Sequence, residues 1–265
     1  MPELPEVETI RLFLEKNLTN KTISNLEIIT PKSFIGDSQK IIGQKIIKFT
    51  RLGKQLSLHL QNKLIILFHL KMTGQLVLNT PNKYTRVIIK INNNLSLYFN
   101  DLRKFGWVKV LTQNELVEAQ KNIGIDILSP KFTSNYFYQQ IQSTSRPIKS
   151  VLLDQSKFAG IGNIYANDAL FLAKINPTYP SNQISSPASN KLHQSIIKII
   201  KESIVHGGST AKDKGYIKPD NTPGLHQFHF RVYQRDGQPC LICHTLIKKI
   251  KLAGRGTFYC PKCQK

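Results

Sequence analysis

Acids are scarce in this 265-residue sequence: 16 Asp plus Glu stand against 37 Lys plus Arg, a formal net charge of +21. Solubility alone does not require so large an excess. It points to a polyanionic partner, nucleic acid first and an anionic membrane surface second. Long apolar runs are also missing. The longest, Leu64-Ile65-Ile66-Leu67-Phe68, falls far short of the roughly 18 apolar residues of a spanning helix. The N-terminus lacks the basic residues of a secretory signal and carries Glu3, Glu6 and Glu8 instead. Cysteine is absent from the first 239 residues, and all four fall in the last 26. A disulfide framework is normally spread through a chain, so this clustering argues for an intracellular metal site. At 40% hydrophobic residues, the chain can bury a real core.

The apolar pattern changes character along the chain. Val7, Ile10, Leu14 and Leu18 recur at helical spacing, with Glu6 and Glu8 in the first turn where the helix dipole favours acids. From Thr22 to about Leu111, eight short β-rich runs alternate with turn residues such as Pro81-Asn82 and Asn92-Asn93-Asn94, which predicts a sandwich or barrel. After about residue 125 the pattern is helical, with helices expected over 132–141, 148–154, 163–173 and 188–206. The stretch 207–224, rich in Gly, Lys, Asp and Pro, reads as a long mobile loop.

Cys240-x-x-Cys243, sixteen residues, then Cys260-x-x-Cys263 fits a four-thiolate zinc site. Each two-residue gap lets one tight turn aim both sulfurs at one ion, and two turns complete a tetrahedron. Two disulfides or free thiols are the alternative. With no histidine or open position, one structural zinc is expected. Lys248, Lys249, Lys251 and Arg255 between the knuckles suit a phosphate clamp, with a solvated basic face as the alternative.

The opening string Met1-Pro2-Glu3-Leu4-Pro5-Glu6-Val7-Glu8 admits two readings. Helix-capping chemistry explains much of it. Alternatively, removal of Met1 would leave a secondary amine with a pKa near 8, nucleophilic at neutral pH. Its attack on a sugar C1′ would give an iminium that cannot shed an N–H proton. Glu3 would serve as proton donor, and Glu6 would orient the amine or a water.

Together with the N-terminal string, further motifs carry a resemblance: Gly53-Lys54, His69-Leu70-Lys71-Met72-Thr73-Gly74, Asp101-Leu102-Arg103-Lys104-Phe105-Gly106, Leu153-Asp154-Gln155, Gly160-Ile161-Gly162-Asn163-Ile164-Tyr165-Ala166 and the stretch 254–264. In this order they resemble the bacterial formamidopyrimidine-DNA glycosylases across nearly the whole chain. Leu4, where the related endonuclease VIII group has Gly, favours the purine-directed branch. The resemblance implies an α+β multidomain fold: an N-terminal β-sandwich with a leading helix (2–125), a helix–two-turn–helix domain with a lesion loop (126–225), and a zinc-finger hairpin (226–265). It implies a monomeric, cytoplasmic, nucleoid-associated protein without a signal peptide, acting on damaged double-stranded DNA and not on membranes.

The resemblance also implies roles. Pro2 would be the Schiff-base nucleophile, Glu3 the acid, Glu6 a supporting carboxylate and Lys54 the active-site lysine. His69, Lys149, Asn163 and Arg255 would contact phosphates. Met72, Arg103 and Phe105 would fill the void left by a flipped nucleotide. The implied reaction is excision of oxidised purines followed by β,δ-elimination. A DNA-binding protein without catalysis and a glycosylase directed at oxidised pyrimidines are the alternatives. Lys71, Leu102, Lys104 and Asp168 depart from the family's usual residues, as do Phe228-His229-Phe230 and the 207–224 loop.

Overall fold

The computed structural model describes residues 1–92, 94–210 and 215–265. They form two compact units, residues 1–122 with 204–227 and residues 123–203 with 228–265. Among the described residues no helix is long and apolar enough to cross a membrane.

The first unit opens with helix α1 (Leu4–Leu18). Its predicted stripe of Val7, Ile10, Leu14 and Leu18 is fully buried, and each such side chain contributes about 1.5–3 kcal/mol. The eight expected strands all form: β1 (Ile23–Ile28), then β3 (Ile46–Leu52), β4 (Gln55–Leu60), β5 (Ile65–His69), β6 (Gly74–Leu78), β7 (Thr85–Ile91), β8 (Leu95–Asp101) and β9 (Trp107–Leu111). A ninth, the two-residue β2 (Phe34–Ile35), pairs parallel to β9 and is too short to leave a pattern. One sheet runs β1-β7-β8-β6 and the other β2-β9-β5-β4-β3. β7 alternates as a half-buried strand should, with Thr85, Val87, Ile89 and Ile91 inward. Phe49, Leu58, Phe68, Val87 and Phe99 join the α1 stripe in one core.

Helix α2 (Gln113–Gln120), absent from the sequence reading, carries a Thr112/Glu115 capping box that such a reading could have used. Its Leu116 covers Ile65 and Leu67 on the outer face of β5. That cover explains why the run from Ile65 to Phe68 is apolar on both faces.

The second unit holds β10 (Ile125–Asp126), α3 (Ser134–Gln142), α4 (Ile148–Leu152), β11 (Phe158–Ala159), α5 (Asn163–Ala173) and α6 (Ser186–Val205, through Ser203). It also holds a hairpin of β12 (Lys248–Leu252) and β13 (Arg255–Tyr259). The hairpin turn places Ala253 at φ 46° and Gly254 at φ 76°. Two consecutive positive φ values are the signature of the two-residue turn whose twist matches paired strands.

The two compact units divide the chain differently from the expected domains. Residues 228–265 group with the helices of the second unit. A segment this small cannot close a core, and it completes one with Phe171 of α5, against which Val232, Ile247 and Phe258 pack. Residues 204–227 belong with the sandwich and not with the helices. Buried Tyr216 joins the sandwich core, and the Leu78 N–H donates to the Pro219 carbonyl at 2.8 Å. At its described positions, therefore, the 207–224 segment is anchored; residues 211–214 lie outside the described part.

Candidate functional site

In the first unit the N-terminus of α1 gathers the candidate acid–base groups. Pro2, Glu3 and Glu6 are all buried, and the two carboxyl-bearing residues are only 2% and 1% exposed. Carboxylates reach that depth only when hydrogen bonds replace their water. Glu6 Oε2 accepts the Glu3 N–H at 2.8 Å, one half of the capping box that starts the helix. Its other oxygen, Oε1, accepts the Ser209 N–H at 2.8 Å. Gly208 lies against it at φ 77°, where an added Cβ would sit 3.0 Å from Glu6 Cγ and Oε1. Tyr216 donates its hydroxyl to the Gly207 carbonyl at 3.0 Å. Burial, and then the Glu6 carboxylate, push the Tyr216 phenol well above its usual range. Nothing in the sequence beyond Gly207-Gly208 signalled that this segment reaches Glu6.

Half-buried Lys54 sits in the β3–β4 turn after Gly53, at φ 57°. That turn is tied to α1. Arg51 donates to the Gly53 carbonyl at 3.0 Å and to Glu8 Oε2 at 2.8 Å. Burial works against the Glu8 carboxylate, but hydrogen bonds from Arg11 and Arg51 outweigh it and hold the Glu8 pKa below its ordinary value. Glu8 thus fixes the lysine turn on the helix that carries Glu3 and Glu6.

His69 ends β5, pairs across the sheet with Gln55 and Trp107, and meets the Trp107 ring edge-on. Burial, and then the charges of Lys71 and Lys54, lower its pKa to about 3. The Lys71 N–H donates to Nδ1 at 3.1 Å, so the neutral ring carries its proton on Nε2. Met72, Arg103 and Phe105 are exposed, Phe105 at 54%. The Arg103 guanidinium lies 4.8 Å from the Phe105 ring centroid. An exposed Phe and Met beside a cation are costly in water and suited to an apolar, π-rich partner.

In the second unit, α4 and α5 position the hairpin. Lys149 is 1% exposed, and its ammonium donates to the Gly256 carbonyl at 3.0 Å and to Thr257 Oγ1 at 2.7 Å. Lys149, expected to contact a phosphate, thus faces the hairpin that carries Arg255. Asn163 Nδ2 donates to the same carbonyl at 3.1 Å, while Asn167 Oδ1 accepts the Phe258 N–H at 2.8 Å. Arg255, first residue of β13, is exposed just after the turn. Asp168, fully buried on α5, accepts the N–H groups of Arg231, Val232 and Tyr233 at 2.9–3.1 Å. Burial pushes its carboxyl up, and those three donors oppose the shift.

The four cysteine sulfurs all lie within 4.8 Å of one another. Cys240–Cys263 and Cys243–Cys260 are 3.9 and 3.4 Å apart, too far for disulfides. Tetrahedral zinc–thiolate bonds of about 2.3 Å separate sulfurs by roughly 3.8 Å, which these spacings fit. The cluster is built to hold one structural zinc, and the alternative of two disulfides falls away.

Comparison with known proteins agrees along the whole length. The Formamidopyrimidine-DNA glycosylase N-terminal domain matches residues 1–108, the Formamidopyrimidine-DNA glycosylase H2TH domain residues 123–214, and the Zinc finger found in FPG and IleRS residues 237–265. The formamidopyrimidine-DNA glycosylase of Desulforamulus reducens is 36% identical, with 100% of this chain and 99% of the relative covered. The crystal structure of the MutM (Fpg) protein from Thermus thermophilus superposes with a TM-score of 0.93 at 33% identity, covering 99% of this chain and 98% of that one. A mutant Lactococcus lactis Fpg in complex with Fapy-dG containing DNA gives 0.92 at 33% identity, with both chains fully covered. On this agreement of sequence, fold and zinc cluster, the chain belongs to the formamidopyrimidine-DNA glycosylase family.

Proposed function

We propose that the chain removes oxidised purines, such as 8-oxoguanine and formamidopyrimidines, from duplex DNA and then cleaves the strand at the abasic site. The observation that carries this reading is the pair of buried carboxyl groups, Glu3 and Glu6, directly after Pro2 at the head of α1. Once Met1 is removed, the Pro2 nitrogen lone pair attacks C1′. The base departs with the electrons of its glycosidic bond and takes up a proton. Glu3 protonates the ring oxygen as the sugar opens to an iminium on Pro2. That cation acidifies the C2′ proton, so the 3′ phosphate leaves by β-elimination and the 5′ phosphate by δ-elimination. Glu6 holds the Glu3 backbone in place, and Lys54 supplies a cation for the phosphate at the lesion.

Met72, Arg103 and Phe105 occupy the hole left by the flipped nucleotide, whose opening costs a few kcal/mol. Neutral His69 offers Nε2–H to a phosphate, and Asn163 and Arg255 grip others from the helical unit, with Lys149 holding the hairpin beneath Arg255. The structural zinc braces that hairpin. A net charge of +21 adds a strongly salt-dependent affinity for the DNA backbone.

The test is a panel of duplexes carrying 8-oxoguanine, a formamidopyrimidine or an oxidised pyrimidine, scored in single turnover. The reading expects faster release of the purine lesions and products phosphorylated at both ends of the gap. Faster release of the pyrimidine lesion would replace it with the pyrimidine-directed alternative. Binding without release of any base would leave a DNA-binding protein only.

A further inference from the structure

Two loops of the sandwich carry the three exposed side chains read above as intruding into DNA. Met72 lies between β5 and β6, and Arg103 and Phe105 lie between β8 and β9. Nothing in covalent connectivity makes these loops move together, since 30 residues separate Thr73 from Arg103. A buried carboxylate joins them. Asp101, 1% exposed at the end of β8, accepts the Thr73 hydroxyl at 2.5 Å and the Arg103 N–H at 3.2 Å through Oδ1. Its Oδ2 accepts the Gly106 N–H at 2.7 Å. The Thr73 hydroxyl in turn accepts the Arg103 N–H at 3.0 Å, closing a ring of three groups.

The packing around this ring is tight. A Cβ on Gly106 would lie 2.8 Å from Phe99 Cζ and 3.0 Å from the His69 carbonyl. Each loop also holds a lysine at positive φ, Lys71 at 50° and Lys104 at 58°. L-residues adopt that conformation at a cost, so the surroundings must impose it. A carboxylate is moreover an expensive group to bury beneath a surface meant for a polyanion. Its three donors account for that burial, and all three belong to the two loops.

We infer that Asp101, acting with Thr73, is a positioning residue that locks the two loops into one body, so that Met72, Arg103 and Phe105 enter the duplex as a preassembled unit. The inference rests on the void-filling reading of those three side chains. Asp101 touches no reacting atom. Its effect is felt only where a helix must be opened and an orphaned partner base held.

The experiment compares two substrates, 8-oxoguanine opposite cytosine and 8-oxoguanine opposite an abasic analogue, which has no partner base to hold. Thr73→Val keeps the side-chain shape and removes both hydroxyl contacts. Single-turnover excision from the cytosine duplex should fall about tenfold, as expected for a lost hydrogen bond to a charged group. The abasic-opposite substrate should change by less than about twofold, and Thr73→Ser should restore the first rate. Asp101→Asn should behave as Thr73→Val. In an Arg103→Ala background, Thr73→Val should add little, because both act on the same step.

Equal losses on both substrates, or no loss on either, would overturn the inference. Arg103→Ala alone separates it from the reading beneath it. If Arg103→Ala does not discriminate between the substrates, the void-filling reading has failed. If it does and Thr73→Val does not, only the lock has failed.

Discussion

Glu6 and Ser209, 203 positions apart in sequence, are joined by a 2.8 Å hydrogen bond from the Ser209 N–H to the Glu6 carboxylate. The other oxygen of that carboxylate holds the N–H of Glu3. One side chain thus ties the Gly207-Gly208 turn to the residue proposed as the acid.

Glu6→Gln keeps the shape and one acceptor oxygen but turns an amide N–H₂ toward the second donor. Chemical denaturation should show a loss of about 1–3 kcal/mol, the cost of leaving a buried donor unmet. Base excision should fall by more than that loss of folded protein explains. Gly208→Ala should act in the same direction, since it combines an unfavourable φ with a Cβ 3.0 Å from Glu6. Unchanged stability in both variants would remove Glu6 from its bridging role.

The Glu8–Arg51 pair predicts an acid-labile contribution to stability. The folded-state pKa of Glu8 is lowered from 4.5. Its contribution is therefore complete above the unfolded value and is lost as pH falls through the folded one. Arg51→Met should flatten the fall in stability that sets in as pH drops below about 4.5. It should also weaken activity through Lys54, whose turn Arg51 holds. A profile as steep as that of the parent protein would contradict this.

His69 predicts the same sign over a different pH range. Its unfolded imidazole takes up a proton below about pH 6.5, whereas the folded one stays neutral down to about 3. Stability should thus decline as pH falls from 6.5 toward 3, and His69→Gln should remove that part of the decline. A neutral donor releases no counterion. His69→Gln should therefore weaken DNA binding several-fold at every salt concentration while leaving the salt slope unchanged. A slope smaller by about one would mean that the ring is a cation at the phosphate.

How much of this was legible in the sequence follows from the range of each interaction. The α1 stripe, the eight longer strands and the CxxC pairs declare themselves within a few residues, through periodicity or ligand spacing. Helix α2 is marked by its Thr112/Glu115 capping box, but its eight residues bury only Leu116 and so leave no apolar stripe. The anchoring of residues 204–227 could not be read. It depends on Tyr216 entering a core whose other members lie between Val7 and Val108, and on backbone donors that leave no mark in side-chain pattern. Lys149 shows the converse limit: its identity suits a phosphate contact, while its burial against Gly256 and Thr257 is decided by tertiary packing.

The zinc finger should fail independently of the sandwich. Cys260→Ser removes one of four ligands, and structural zinc contributes on the order of 10 kcal/mol to such modules. The variant should lose zinc by metal analysis and most DNA affinity, while the sandwich core keeps its cooperative thermal transition. Asp168→Ala, which orphans the three N–H groups of Arg231, Val232 and Tyr233, should loosen the finger with zinc still bound. Full DNA affinity after zinc loss would show that the hairpin is not a clamp.

Imine chemistry at Pro2 can be caught by borohydride trapping on a duplex with 8-oxoguanine opposite cytosine. The protein used should first be shown by mass spectrometry to lack Met1 and by metal analysis to hold zinc. Proline attack at C1′ should yield a covalent protein–DNA adduct whose modified peptide begins at Pro2, and none from a chain that retains Met1. An adduct mapped to Lys54, or no adduct from the processed, zinc-bound protein, would contradict it.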